Sequence, residues 1–180
     1  MSLFLATLLA ALALLFAGAA LVWNAPPVGA LARGFSRSRR AAYVTMGLGA
    51  AWTLYRVTQL GQADFGDYKT PLFIGFAILA IAVFRYVPDF LSVRGACVLA
   101  LLVGDALLTA AYMRYEEAGR LFLVAPVYAM ILLALYLAVS PFRVRDFANW
   151  LFARNARPRI LGAVTGLYGL ILLGVAFGYG

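Results

Sequence analysis

The sequence predicts an all-α protein, a polytopic transmembrane helix bundle of six spans arranged as three antiparallel hairpins. Three observations predict it. Of the 180 residues, 65% are hydrophobic and 12% are charged. The apolar residues fall in six long runs, and arginines cluster at the ends of those runs. A water-soluble domain needs about a quarter of charged residues to cover its surface, so we expect hydrocarbon to surround most of this chain.

Each span is justified by its length and composition. A helical span needs roughly 20 mostly apolar residues, and the runs do not alternate in polarity as strands would. The first run is longer than the apolar core of a secretory signal and lacks a basic leader, so we expect it to be retained. Pro71 suits the first turn of the third span, where a missing N–H costs nothing. The predicted spans are residues 3–23, 41–60, 70–87, 95–112, 121–140 and 160–179.

The loops predict the topology. They are short, so residues 1–180 form one integral-membrane domain, and each predicted hairpin turns on a basic and aromatic loop. Eleven arginines lie in the loops after the first, third and fifth spans, whereas three basic residues lie in the other two loops. The positive-inside rule makes the arginine-rich side cytoplasmic and turns both termini outward. We therefore expect an integral protein of a bacterial inner membrane.

Residues 142–158 mix basic and aromatic side chains and predict an interfacial helix lying at the headgroup level. Docking onto a soluble partner is the alternative for this segment. The net charge of +8 sits at the ends of apolar runs, where it faces anionic lipid headgroups on the cytoplasmic side rather than nucleic acid. The candidate headgroup contacts are Arg37, Arg40, Arg154 and Arg157.

Two charged residues fall inside predicted spans. Asp105 lies roughly 16 Å into the fourth span and Arg56 roughly 22 Å into the second, at 1.5 Å per residue. A carboxylate at this depth needs a partner, a proton or water, so Asp105 is either a proton or cation site or a polar tie between helices. Because the two heights differ by about 6 Å, Arg56 either pairs with Asp105 or snorkels outward toward Asp64 or Asp67.

The last span carries two pairs of glycines at the spacing that lets helices approach closely. Gly162 and Gly166 form one pair, and Gly174 and Gly178 form the other. Both are candidate helix-packing positions. Packing within the chain and packing against a neighbouring subunit are equally compatible with this pattern.

The residue inventory excludes several chemistries. There is no histidine, which excludes histidine-ligated haem, histidine-containing zinc sites and a histidine general base. The single cysteine, Cys97, has no partner for an internal disulfide. No phosphate-binding loop or nucleophile elbow is present. We expect no cofactor, no bound metal and no catalytic residue, and hence not an enzyme.

The expected function is that of a non-catalytic accessory, structural or assembly subunit of a larger membrane complex. Its expected partners are membrane lipid and other membrane subunits, or further copies of itself, and not nucleic acid. The alternative is a small oligomeric transporter or channel that uses Asp105 with Arg56. Its weakness is that a path across hydrocarbon usually needs several polar groups, whereas only these two charges lie deep in the spans.

Overall fold

The computed structural model describes residues 1–61, 65–87 and 89–179. Within these ranges the chain is helical and has no strand. Eight α-helices follow one another, with a short 3-10 helix at Gly66–Tyr68 before the fourth. They are α1 Leu3–Trp23, α2 Pro26–Phe35, α3 Arg39–Thr58, α4 Lys69–Tyr86, α5 Leu91–Ala111, α6 Arg120–Val139, α7 Phe142–Leu151 and α8 Ala156–Phe177.

Five of these helices, α1, α4, α5, α6 and α8, are long and apolar enough to cross a membrane. Helix α3 has 20 residues but is not among the five. It carries Arg39 and Arg40 at its start and Arg56 in its last turn, and these arginines lower its mean hydropathy. Six spans are therefore not confirmed, although a helix occupies each of the six predicted segments.

Local side-chain chemistry sets several helix ends. The Ser2 hydroxyl accepts a hydrogen bond from Leu5 N and begins α1, and the Ser38 hydroxyl accepts from Ala41 N and begins α3. Both satisfy an N–H that has no acceptor inside the helix. Helix α1 ends at Asn24, which adopts the left-handed conformation with φ 47°. Asparagine tolerates this conformation better than most residues, so it can terminate a helix.

Two short amphipathic helices depart from the predicted elements. Helix α2 falls in a stretch that was expected to be a loop, and prolines at its first positions start it without losing a hydrogen bond. Helix α7 covers only the first part of the predicted interfacial segment 142–158, and α8 begins at Ala156. A turn at residues 152–155 separates α7 from α8. Helices α2 and α7 pack against each other.

The most extensive contact between two helices is that between α1 and α8. The two run antiparallel, because residues early in α1 meet residues late in α8. The Phe4 and Phe177 rings meet edge to face with centroids 6.0 Å apart. The Thr7 hydroxyl lies 3.3 Å from the Tyr179 hydroxyl. Helices that are distant in sequence thus form the tightest pair of the bundle.

The remaining helices pack α4 on α3, α3 on α5, and α5 on α6. The predicted arrangement of three hairpins is not confirmed by this pattern. Consecutive helices do pack as α3 with α4 and as α5 with α6, but these pairs are joined by the loops that carry few arginines, not by the basic loops of the prediction. Short loops limit which helices are neighbours, while the fit of side chains determines which neighbours make close contact.

Small residues permit the closest approaches. A Cβ on Gly162 would lie 2.7 Å from the Gly18 carbonyl oxygen, where α1 crosses α8. A Cβ on Gly95 would lie 2.5 Å from Met46 N, where α5 crosses α3. Both distances are too short for real atoms, so the backbones at these crossings touch only because no side chain stands between them. This is the small-residue packing of membrane helices.

The buried core is small. One cluster joins α1, α5 and α6 around Leu3, Ala6, Leu123 and Val127, and a second joins α5 and α6 around Val93. Helix α4 has no buried residue within the described part of the chain. Most large apolar side chains are exposed, which suits a bundle whose surroundings are hydrocarbon.

Candidate functional site

The structure brings Arg56 and Asp105 together. Arg56 lies in the last turn of α3 and Asp105 lies in the C-terminal third of α5. Arg56 Nη2 donates to Asp105 Oδ2 across 2.6 Å. The contact is a charge-assisted hydrogen bond, which is shorter and stronger than one between neutral groups. The guanidinium reaches toward α5 and not toward Asp67, while Asp64 lies outside the described residues.

The register of α3 against α5 positions the pair. Gly95 lies against Met46 at the helix crossing, and Gly49 lies against Val98, where a Cβ would be 3.1 Å from Val98 Cγ1. Positions in contact are thus 49 apart in both cases, and Arg56 and Asp105 are also 49 apart. The two helices are therefore parallel and in constant register. Ten residues beyond the Gly95 crossing, about 15 Å along the axis, that register sets arginine beside aspartate.

The pair lies in the C-terminal third of both helices rather than at their middle. Helix α5 continues six residues beyond Asp105 to Ala111, about 9 Å. Helix α3 ends at Thr58, just after Arg56. A cation in the last turn of a helix is stabilised by the negative end of the helix dipole. Both the ion pair and the dipole therefore lower the free energy of a charged arginine at this level.

The pair is on the outside of the bundle. The side chains of Arg56 and Asp105 are 53% and 51% exposed, so about half of each faces whatever surrounds the protein. A guanidinium has five N–H donors, and Asp105 Oδ2 accepts from one of its nitrogens. The guanidinium therefore has more donors than this one bond uses.

The cavity between α3, α4 and α5 is almost entirely apolar. A cavity of about 170 Å³ lies between α3, α4 and α5, and its walls are mainly aliphatic with one aromatic ring, Phe76. Its only polar side chain is Thr53, which donates to the Gly49 carbonyl of its own helix at 2.9 Å. Ions need more polar groups than this to cross hydrocarbon.

The four candidate packing glycines have different surroundings. Gly162 lies at the α1–α8 crossing, and Gly166 contributes backbone atoms to that crossing while its own Cβ position faces open space. Gly174 has nothing near its Cβ position, and Gly178 meets only carbonyl groups of its own helix end. The sequence analysis missed Gly18, which supplies the partner surface on α1, and Gly95, which lies at the separate crossing of α5 with α3.

The candidate headgroup arginines also differ. Arg37, Arg40 and Arg154 are exposed. Arg157 is held by the protein itself: its Nη1 donates to the Trp150 carbonyl at 2.6 Å, and its guanidinium lies 4.4 Å from the centroid of the Trp150 ring. This cation–π contact ties the start of α8 to α7.

A cleft that the sequence analysis missed lies on the arginine-rich side. It encloses about 580 Å³ between the turn preceding α3 and the turn preceding α5. The signal available in the sequence was a serine and arginine cluster before one helix and a serine just inside another. The polar residues that line the cleft are Ser36, Arg37, Ser38, Arg39, Asp89 and Ser92.

The fold and these sites define a class: an all-helical chain with five helices able to cross a membrane, a half-exposed ion pair on one face and a basic cleft at one end. Comparison of the chain with protein-family models, with curated proteins and with solved structures found no match.

Proposed function

We propose that this protein is a non-catalytic subunit of a larger membrane assembly and that it docks through the face formed by α3 and α5. In this proposal α3 also crosses the membrane, as the second of six spans. The arginine-rich loops are cytoplasmic in a bacterial inner membrane, and both termini face outward. The observation that carries the proposal is the Arg56–Asp105 ion pair, half exposed on the outside of the bundle.

The physical argument concerns what covers the pair. Charged side chains within membrane spans almost always face a bundle interior or water, because exposure to acyl chains costs several kcal/mol. Here the pair faces outward from its own chain. A helix from another subunit would convert that outward face into an interior and would restore the usual arrangement.

The exposed apolar surface alone does not support docking. Helix α4 buries no residue among those described, but lipid is a good solvent for an apolar helix, so this exposure needs no protein partner. The ion pair differs because lipid tails offer it no hydrogen-bond acceptor. The partner surface that fits is therefore a helix with a hydrogen-bond acceptor at the level of Arg56.

The ion pair also supports α3 as a span. Twenty residues cover about 30 Å at 1.5 Å each, which is the thickness of the hydrocarbon core. The charge that makes α3 less apolar than the other spans is paired with Asp105 of α5. Neutralised in this way, Arg56 opposes insertion less than an isolated arginine would.

The test compares assemblies extracted in mild detergent. We expect the wild-type protein to migrate with other polypeptides and the Arg56→Gln/Asp105→Asn double variant to be released from them. The matched control is Arg145→Gln/Asp146→Asn, which removes the other ion pair found among the described residues and should leave the assembly intact. Circular dichroism would verify that both variants remain helical.

Two outcomes would contradict the proposal. One is an assembly that survives loss of the Arg56–Asp105 pair. The other is a purified homo-oligomer that conducts ions or takes up solutes in liposomes and loses that activity in Asp105→Asn. The second outcome would establish the transporter alternative, because the pairs of several copies would then line a shared path.

A double-mutant cycle tests the contact itself. For a half-exposed pair we expect a coupling free energy of about 0.5–1.5 kcal/mol between Arg56→Gln and Asp105→Asn, measured by unfolding in detergent. Additive effects of the two substitutions would show that the side chains do not interact in the folded protein.

A further inference from the structure

We infer that the cleft between the turns preceding α3 and α5 is a binding site for a phosphate group, and that a phospholipid headgroup is the natural source of that phosphate. The inference is independent of the docking face, because the cleft lies at the opposite end of α3 from Arg56. Its walls, charges and one unpaired hydroxyl each point to an anionic ligand.

The cleft is built from two helix starts. Helix α3 begins at Arg39 and helix α5 at Leu91, and both residues line the cleft. The first N–H groups of a helix have no acceptors within it, and the positive end of the helix dipole lies there. Two such ends beside one cavity favour an anion more than one end does.

The side chains add positive charge. Arg37 and Arg39 line the cleft and Asp89 is the one acid there, so two positive charges and one negative charge leave a net charge of +1. Both arginines are exposed, and neither belongs to an ion pair among the described residues. They are therefore free to form bidentate hydrogen bonds with phosphate oxygens.

Ser36 supplies the observation that does not depend on the helix ends. It lines the cleft, is only 2% exposed, and has a hydroxyl with no hydrogen-bond partner among the residues that the structure describes. A buried hydroxyl without a partner costs about 1–3 kcal/mol, so most buried hydroxyls in proteins have a hydrogen-bond partner. A phosphate oxygen in the cleft would accept from it.

The cleft is already shaped in the absence of a ligand. Ser92 Oγ donates to the Phe35 carbonyl at 2.7 Å. The Thr45 hydroxyl shares its proton between the Ala41 carbonyl of its own helix at 2.9 Å and the Ser92 carbonyl at 3.1 Å. The first bond joins the end of α2 to the start of α5, and the second joins α3 to α5. Ser92, which takes part in both, lines the cleft, and the close crossing at Gly95 lies one turn further along α5. Binding therefore requires little ordering of the protein.

The size and lining favour a lipid headgroup over free phosphate. The cavity of about 580 Å³ is much larger than a phosphate ion, and Ala42, Phe90 and Leu91 add apolar wall. It opens at the first turn of α5, a helix long and apolar enough to cross a membrane, and headgroups would lie at the end of such a helix. Asp89 would suit a headgroup that carries an amine beside its phosphate, because the carboxylate can accept from an ammonium group.

The test measures binding to the full-length protein in a neutral detergent. The ligands are a short-chain phosphatidylethanolamine, a short-chain phosphatidylglycerol, the matching diacylglycerol without phosphate, and inorganic phosphate. We expect saturable binding of the phospholipids, weaker binding of inorganic phosphate and none of the diacylglycerol. Arg39→Gln should weaken phospholipid binding by on the order of tenfold. The control is Arg114→Gln, an exposed arginine beyond the other end of α5, which should leave phospholipid binding unchanged.

Ser36→Ala provides a second readout that distinguishes ligand binding from a structural role. Without ligand, the variant should melt at the wild-type temperature or above it, because an unpaired buried hydroxyl has been removed. With phospholipid present, it should show a smaller rise in melting temperature than the wild type. Equal binding by diacylglycerol, or equal losses in Arg39→Gln and Arg114→Gln, would overturn the inference. Inorganic phosphate binding as tightly as phospholipid would support the phosphate site and overturn the lipid as its source.

Discussion

Substituting Gly162 with alanine tests the tightest contact in the protein. A Cβ at this position would lie 2.7 Å from the Gly18 carbonyl oxygen, 2.8 Å from Leu21 Cβ and 2.8 Å from Val22 N. Two of these three atoms belong to the backbone of α1, which cannot rotate away as a side chain could. Helix α1 must therefore move outward by several tenths of an ångström for the methyl group to fit.

The expected loss of stability comes from the added methyl group, which overpacks the helix crossing. Inserting a methyl group into a well-packed site costs about 1–3 kcal/mol. Alanine also favours a helix over glycine by about 1 kcal/mol, which partly hides the steric cost. Gly166→Ala is the matched control, because it lies one turn away on α8 and its Cβ would meet nothing within 4 Å. The propensity gain is common to both variants, so their difference reports the steric cost alone.

We expect Gly162→Ala to be less stable than Gly166→Ala by about 1–3 kcal/mol. The assay is equilibrium unfolding by sodium dodecyl sulfate from a mild detergent, followed by far-ultraviolet circular dichroism. Equal stability of the two variants would refute the reasoning, because it would mean that α1 and α8 do not approach each other at Gly162.

Two further predictions concern the α3–α5 crossing. Gly95→Ala should destabilise the protein by about 1–3 kcal/mol, because its Cβ would lie 2.5 Å from Met46 N. Gly47→Ala should be tolerated, because nothing lies within 4 Å of its Cβ position. Equal stability of the two variants in the same detergent unfolding would mean that α3 and α5 do not cross at Gly95. Ser92→Ala should cost about 1–2 kcal/mol by removing the 2.7 Å hydrogen bond to the Phe35 carbonyl, and a stability equal to that of the wild type would contradict that bond.

The sequence was sufficient for the helical class and for the approximate position of each long helix. An unbroken apolar run between Ser2 and Asn24 has the length that suits a bilayer, and α1 begins and ends at the predicted residues. Helix α2 was missed because its ten residues are too few for a span and mix glycine, proline and arginine among apolar positions. Its amphipathic face becomes meaningful only when α7 is placed against it.

The candidate site was partly predictable for a similar reason. The rise per residue placed Arg56 and Asp105 at comparable heights, but height alone does not determine which helices are neighbours. The neighbours depend on Gly95 and Gly49, whose missing side chains let α3 and α5 run parallel in one register. The outward direction of the pair depends on the rotation of both helices, which no local pattern in either sequence specifies.

The pairing of α1 with α8 has a consequence for biosynthesis. Helix α1 is translated before every other described helix and α8 after them, yet each finds its most extensive contact in the other. While the intervening chain is inserted, the small-residue groove around Gly18 stays open to lipid or to any insertion factor that recognises it. The contact between α1 and α8 therefore forms only after α8 has been made. A ribosome that stalls before α8 would leave a nascent chain in which α1 has no helix to pack against.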